Sequence, residues 1–385
     1  MVCAAQEYQV RKLTVMASSM EAVEKTTLRG SLPVPNVQVL SSKNLTKIPN
    51  QYIRPERETE PVLGAHLQQE IPTVDLSKLF DRRFSEEESK KLHLACQEWG
   101  FFHLINHGVG GEVIEKIKRD VKEFFQQPLE VKEAHSQLPD SAEGYGQAFV
   151  VSQEQRLDWA DKFSLRIRPI SSRRMRFWPT QPTSFRQTLE QYSSELMKVT
   201  NSLLRAMAKN LGVDPDMLID KFKDGMQSAR MNYYPPCPQP DKALGLSPHS
   251  DASGLTILLQ INEVQGLQIM KDDNWVPVTP LSDSFVINVG DVIEILSNGK
   301  YKSINHRSTV DPEKERLSTA TFQSPSSDAD IGPLPELVRD GGEMCYNSMN
   351  YGQFLNFYLS GKLDGKGHMQ IIKKQKPSIT QPFLS

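Results

Sequence analysis

Cysteine is scarce. The 385 residues hold four, Cys3, Cys96, Cys237 and Cys345, each more than ninety positions from the next. No CxxC or similar short ligand spacing exists, which excludes a zinc ribbon or finger. Thinly scattered thiols suit a reducing compartment. Long apolar runs are missing as well. None exceeds about five residues, against the ~20 that a membrane-spanning helix needs. Nor is there an excess of one charge. Forty-five Lys and Arg stand against 47 Asp and Glu, a formal net charge of −2. That balance argues against a nucleic acid or membrane surface held by bulk electrostatics. The opening MVCAAQEYQVRKLTVM lacks the apolar core of a secretory signal, and Glu7, Glu21 and Glu24 do not suit a transit peptide. Together these absences predict a globular, cytoplasmic protein whose partner is a small molecule, with no nucleic-acid or membrane partner.

What is present changes character along the chain. Residues 1–70 are polar, Pro-containing and weakly patterned, and read as an arm with little core of its own. The alternation in Ile71-Pro72-Thr73-Val74-Asp75-Leu76 marks the start of the ordered region. Ser85-Glu86-Glu87-Glu88 has the form of a capping box opening a helix that stops at Gly100. Phe101–Ile105 reads as a buried strand. Val113, Ile114, Ile117, Val121, Phe124 and Phe125 form the apolar stripe of a further helix. Residues 135–182 are mixed, with Gly144-Tyr145-Gly146 as a turn. Leu189, Tyr192, Leu196, Val199, Leu203, Met207 and Leu211 then recur at spacings of three or four, ending at Gly212. Beyond residue 228 short strands alternate with Pro, Gly, Asn and Asp. They are predicted at 230–234, 255–260, 266–270, 275–279, 284–289, 292–296, 301–305 and 317–323. About eight such strands fit a jelly roll. A helix returns at Tyr351–Leu359.

The β-rich half carries a metal-ligand pattern. In His249-Ser250-Asp251 the imidazole and the carboxylate are two residues apart, so an extended chain turns both to one side. His306, after the alternating segment Tyr301–Asn305, supplies a third ligand. Two His and one carboxylate on one side of a metal leave three positions open, the facial arrangement of non-haem Fe(II) oxygenases. A lone HxD is a weak signal, and the next segment strengthens it. Arg316 and Ser318, two apart on a strand, offer a guanidinium fork and a hydroxyl, the donors that a carboxylate needs. His103 and His107 are four apart, but in a strand that spacing is about 13 Å, and they read as structural.

As a set, His249-x-Asp251, His306 and Arg316-x-Ser318 resemble the signature of the 2-oxoglutarate- and Fe(II)-dependent dioxygenases. Asn232-Tyr233-Tyr234-Pro235-Pro236-Cys237-Pro238, Gly266-Leu267-Gln268-Ile269 and Ser297-Asn298-Gly299-Lys300-Tyr301 are similar to the plant branch of specialised metabolism, as are Trp99-Gly100-Phe101-Phe102 and Asn106-His107-Gly108-Val109. Glu143-Gly144-Tyr145-Gly146-Gln147 and Leu157-Asp158-Trp159-Ala160-Asp161 narrow the likeness. They resemble the subgroup of the codeine and thebaine O-demethylases and the dioxygenase-like norcoclaurine synthase.

The resemblance runs from about residue 30 to about 370. It implies an α+β chain: a double-stranded β-helix (jelly roll) core, a helical N-terminal domain and a long backing helix. The divisions expected are an arm at 1–70, the helical domain at 71–180, backing helices at 181–224, the jelly roll at 225–325, and a C-terminal helix and tail at 326–385. Carried onto this chain, His249, Asp251 and His306 would bind Fe(II). Arg316 and Ser318, with Tyr234 and Asn232, would hold 2-oxoglutarate. Tyr145, Phe149 and Phe322 are the expected substrate-pocket residues, Phe322 because relatives place an aromatic six residues past the arginine. The implied reaction consumes O2 and 2-oxoglutarate, with ascorbate as reductant, and releases succinate and CO2. It hydroxylates a small aromatic or heterocyclic metabolite (an alkaloid, indole or phenolic), or removes an O-methyl group. The norcoclaurine-synthase likeness implies an alternative, a non-oxidative Pictet–Spengler-type condensation on the same scaffold. The family's usual state is a monomer.

Overall fold

The computed structural model describes residues 31–43, 45–59, 70–139, 141–338 and 343–374. The first thirty residues of the expected arm and the end of the expected tail lie outside them.

The strands used below are β1 (Thr73–Asp75), β2 (Phe101–Ile105), β3 (Gly144–Gly146), β4 (Asp161–Arg168), β5 (Met226–Tyr234), β6 (Leu246–His249), β7 (Leu255–Gln260), β8 (Leu267–Lys271), β9 (Asn274–Pro277), β10 (Phe285–Val289), β11 (His306–Ser308) and β12 (Arg316–Ser324). They form an eight-stranded sheet in the order β1-β2-β10-β7-β12-β5-β4-β3 and a four-stranded sheet in the order β6-β11-β8-β9. Phe101, Leu258 and Val286 of the large sheet share one apolar cluster with Leu267, Ile269 and Val276 of the small sheet. That shared interior is the core of the jelly roll.

Helices cover the outer face of the large sheet. The stripe predicted at 113–125 is buried on the Gly111–Gln126 helix. The stripe predicted at 189–211 is buried on the Phe185–Leu211 helix, which ends where Gly212 takes a left-handed φ of 73°. Each buried Leu, Val or Phe contributes ~1.5–3 kcal/mol. These two stripes with Phe163, Leu165 and Ile167 of β4 belong to the largest core cluster.

Five local expectations are corrected. The arm is tied down: Val37, Ile48 and Tyr52 are buried with Trp159, Tyr234 and Leu246. Asp161 accepts the backbone N–H groups of Val37 at 3.0 Å and Gln38 at 2.8 Å. The capping box does not close, because Phe84 occupies the N-cap and Glu88 instead accepts the Asp75 N–H at 2.8 Å. Gly144–Gly146 is a strand, its Tyr145 opposite Phe163 of β4. Residues 291–296 form a helix, since Asp291 and Glu294, three apart, both find partners on one side. A short, wholly buried apolar run hides that period. Residues 301–305 form no strand; the β11 ladder starts at His306, with Asn305 O accepting the Met270 N–H of β8 at 2.8 Å. The alternation of β4 lies inside the region read as mixed, and β6 is four residues long.

Candidate active site

The small sheet brings two imidazoles together. His306 of β11 lies directly opposite His249 of β6 in the antiparallel register. Their ring centroids are 4.1 Å apart. Asp251 stands two residues past the end of β6 and turns Oδ1 to within 3.7 Å of His249 Nε2 and 3.6 Å of His306 Nε2. One ligand atom from each of the three lies within 4.8 Å of the others, and all three residues are buried. Among the described residues no other group of this kind occurs.

Hydrogen bonds fix which atoms face the centre. His249 Nδ1 bonds Ser247 O at 2.8 Å and His306 Nδ1 bonds Ile304 O at 3.2 Å. A carbonyl accepts only from N–H, so each Nε2 is left with its lone pair inward. Thr256 Oγ1 and Asn288 Nδ2 donate to Asp251 Oδ2 at 2.6 and 3.0 Å, which frees Oδ1. Burial, then the neighbouring His306, pushes the His249 imidazole well below its ordinary pKa and keeps it neutral. Burial alone would raise the Asp251 carboxyl. The two imidazoles and the bonds from Thr256 and Asn288 outweigh it and hold the carboxyl below its ordinary value. Two imidazole nitrogens and one carboxylate oxygen on one side suit a divalent metal of the Fe(II) type with open positions.

A small cavity of about 50 Å³ opens from this cluster toward β5 and β12. Arg316 faces Tyr234 and Ser318 faces Asn232 in the β5–β12 register. Asn232 Nδ2 donates to Ser318 Oγ at 3.3 Å. The Arg316 guanidinium lies 5.1 Å from the Tyr234 ring centroid. Arg316 is 3 % exposed. It donates to Ser308 Oγ at 3.2 Å and Gln260 Oε1 at 3.3 Å, and among the described residues it meets no carboxylate and its Nε has no partner. A buried cation with an orphaned donor fits an anionic ligand of the cavity. Gly266 makes room for it, because a Cβ there would stand 2.7 Å from Arg316 Cδ.

A second cavity of about 180 Å³ meets the same His249 and Asp251 from the other side. Phe149, Phe322, Leu355 and Tyr358 give it apolar walls, and Arg166, Arg230, Glu143 and Ser228 give it polar ones. Phe149 and Phe322, the residues expected at a substrate pocket, both line this cavity. Tyr145 does not. Its strand turns the ring into the core, 6.1 Å from Phe124 and 6.4 Å from Phe125, and its hydroxyl accepts from Asn36. Its neighbours Ala142 and Glu143 reach the cavity instead. Arg230, Thr256, Asn288 and Tyr358 escaped the sequence reading. Arg230 alone carried a signal, being two residues from Asn232 on the same strand face.

Comparison with known proteins agrees with this geometry. Residues 226–325 match the model of the 2OG-Fe(II) oxygenase superfamily. Residues 71–181 match that of the N-terminal region of non-haem dioxygenases in morphine synthesis. The chain is 50 % identical over 348 residues to S-norcoclaurine synthase 1 of Coptis japonica, covering 90 % of this chain and 98 % of that one. It is 41 % identical over 359 residues to codeine O-demethylase of Papaver somniferum, covering 92 % and 100 %. A crystal structure of JOX2 in complex with 2OG, Fe and JA superposes with a TM-score of 0.82 at 37 % identity, covering 89 % of this chain and 99 % of that one.

Proposed function

The chain belongs to the 2OG-Fe(II) oxygenase superfamily and is a 2-oxoglutarate-dependent dioxygenase, and from that premise we propose that it hydroxylates or O-demethylates a small aromatic or heterocyclic specialised metabolite. In this reading His249, Asp251 and His306 hold Fe(II). Arg316 and Ser318, with Tyr234 and Asn232, hold the far carboxylate of 2-oxoglutarate. Phe149 and Phe322 border the substrate. Fe(II), when bound, supplies the redox chemistry that couples O2 to the oxidation of 2-oxoglutarate to succinate and CO2 and of a substrate C–H bond.

The residues of the chain do the positioning. Thr256 and Asn288 hold the Asp251 carboxylate so that only Oδ1 points inward. Arg316 and the hydroxyls around it neutralise and orient the cosubstrate. Phe322, which lines both cavities, stands where cosubstrate and substrate meet.

The observation that carries this reading is the buried Arg316 without a carboxylate, next to the His–Asp–His cluster. A condensing enzyme would have no use for that buried charge. Anaerobic titration of the apo-protein with Fe(II) and 2-oxoglutarate tests it, followed by calorimetry and by the visible absorption of the chelate. Wild type should bind both, His249→Ala should lose the absorption, and Arg316→Ala should weaken 2-oxoglutarate binding. Iron-loaded, folded wild type that binds no 2-oxoglutarate would sink the reading and leave the condensing alternative.

A further inference from the structure

We infer that the substrate is an organic acid whose carboxylate is held by Arg230 and Arg166, with its apolar body against Phe149, Phe322 and Tyr358. This rests on the oxygenase reading above and narrows its substrate class. Both arginines lie on the cavity face of adjacent strands. Arg230 of β5 stands opposite Ser164 of β4, and Arg166 of β4 stands opposite Ser228 of β5. The two are diagonal neighbours separated only by serines, a spacing that long side chains bridge. On its other side Arg230 faces Ala320 of β12. The small partners leave room beside both guanidinium groups.

The Glu143 carboxyl feels the charge of Arg166 but forms no ion pair with it. Among the described residues no carboxylate lies within ion-pair distance of either, and neither has a partner left unstated. Arg230 makes one side-chain hydrogen bond, from Nε to Asn232 Oδ1 at 2.8 Å, and its guanidinium sits 5.9 Å from the Phe149 ring centroid. These contacts orient the group and leave its two terminal nitrogens free. Lys162, on the same face of β4, is different: its ammonium is spent on Ala142 O at 2.9 Å and Gly144 O at 3.1 Å. Glu143 accepts the Arg166 backbone N–H at 2.8 Å rather than its guanidinium, and burial raises its pKa against the pull of the Arg166 charge. Two free guanidinium groups in a partly apolar cavity favour a planar anion held bidentately. They oppose a protonated amine.

The test uses the holoenzyme with Fe(II) and 2-oxoglutarate under anaerobic conditions. The probes are 4-methoxycinnamate and indole-3-acetate, each beside its methyl ester, with 4-methoxyphenethylammonium as the cation. Calorimetry should show the acids bound roughly 10- to 100-fold more tightly than the esters, as expected for hydrogen bonds to a charged group, and the ammonium bound most weakly. Arg230→Gln should collapse the acid–ester ratio to about threefold or less, whereas Arg230→Lys should keep most of it and 2-oxoglutarate affinity should hold. If Arg230→Gln does not fold, Arg166→Gln and Arg230→Lys carry the same comparison. Esters bound as tightly as their acids, or no acid bound at all, would overturn the inference. So would an Arg230→Gln protein that loses 2-oxoglutarate affinity but keeps its acid preference. Wild type that binds 2-oxoglutarate without preferring acids sinks this inference alone. Wild type that binds no 2-oxoglutarate sinks the oxygenase reading beneath it.

Discussion

His249 and His306 are fifty-seven residues apart in sequence yet directly opposed in the β6–β11 ladder, with ring centroids 4.1 Å apart. Backbone pairing therefore sets the spacing of two prospective metal ligands. The third, Asp251, lies outside the ladder and depends on side-chain bonds for its aim. The aim of the three ligands is thus unequally secured, and the carboxylate is the one open to perturbation.

Removing the donors to Asp251 Oδ2 should loosen the metal without touching a ligand. Thr256→Val deletes the 2.6 Å bond and Asn288→Ala the 3.0 Å bond. Each should lower Fe(II) affinity by roughly 10- to 100-fold, the usual cost of losing an outer partner. Equilibrium dialysis against Fe(II) measures it. Unchanged affinity in both variants would mean that Asp251 needs no such support.

A methyl group should act at a distance on the cosubstrate. The Cβ of Gly266→Ala would come within 2.7 Å of Arg316 Cδ and 3.0 Å of Thr309 O. The guanidinium must then shift. We expect 2-oxoglutarate affinity to fall by about tenfold, the scale of one charge-assisted hydrogen bond, while Fe(II) binding stays near wild type. Arg316→Ala should cost more on the same axis. Equal losses of iron and 2-oxoglutarate in Gly266→Ala would indicate a collapsed sheet instead.

The sequence carried the long-period and motif-level features and missed those that depend on tertiary partners. The stripes at 113–125 and 189–211 are long enough for period 3.6 to stand out, and both are helices. The run Val292–Leu296 is wholly buried, so its period is invisible, and only the partners of Asp291 and Glu294 reveal a helix. His368, which carried no signal, lies 2.6 Å from Asp291 because its segment packs against the small sheet, where Gly365 bridges His249. The arm looked coreless because Val37, Ile48 and Tyr52 are too few to form a pattern and complete a cluster supplied by distant residues. At the site, the strand rule of two placed Arg316 with Ser318. The same rule applied to Gly144-Tyr145-Gly146 would have turned Tyr145 away from Glu143.

Tyr145 and Phe322 should separate stability from recognition. Tyr145→Phe loses only the bond from the half-buried Asn36, worth about 1 kcal/mol, and should lower the unfolding midpoint while leaving substrate KM unchanged. Phe322→Ala enlarges the meeting point of the two cavities. It should raise substrate KM and uncouple succinate release from product formation. Succinate and product quantified together distinguish the two. A KM effect from Tyr145→Phe would place that ring in the substrate's path after all.

The tether between arm and barrel should leave a pH signature. Burial raises the Asp161 carboxyl from 3.8 to about 6, against the backbone N–H groups of Val37 and Gln38 and the charge of Lys132, all of which favour the ionised form. A carboxyl whose native pKa exceeds its unfolded pKa binds its proton more tightly when folded. Its contribution is fully present below about pH 4 and is lost as pH rises through about 6. At ~1.36 kcal/mol per unit, the loss is at most about 3 kcal/mol. Asp161→Asn cannot titrate. It gives up one of two acceptors, a cost independent of pH, and escapes the loss. The stability of Asp161→Asn relative to wild type should therefore rise between pH 4 and pH 7. Urea unfolding midpoints of both proteins across that range measure it, and a constant difference would show that the carboxylate is solvated well enough to titrate normally.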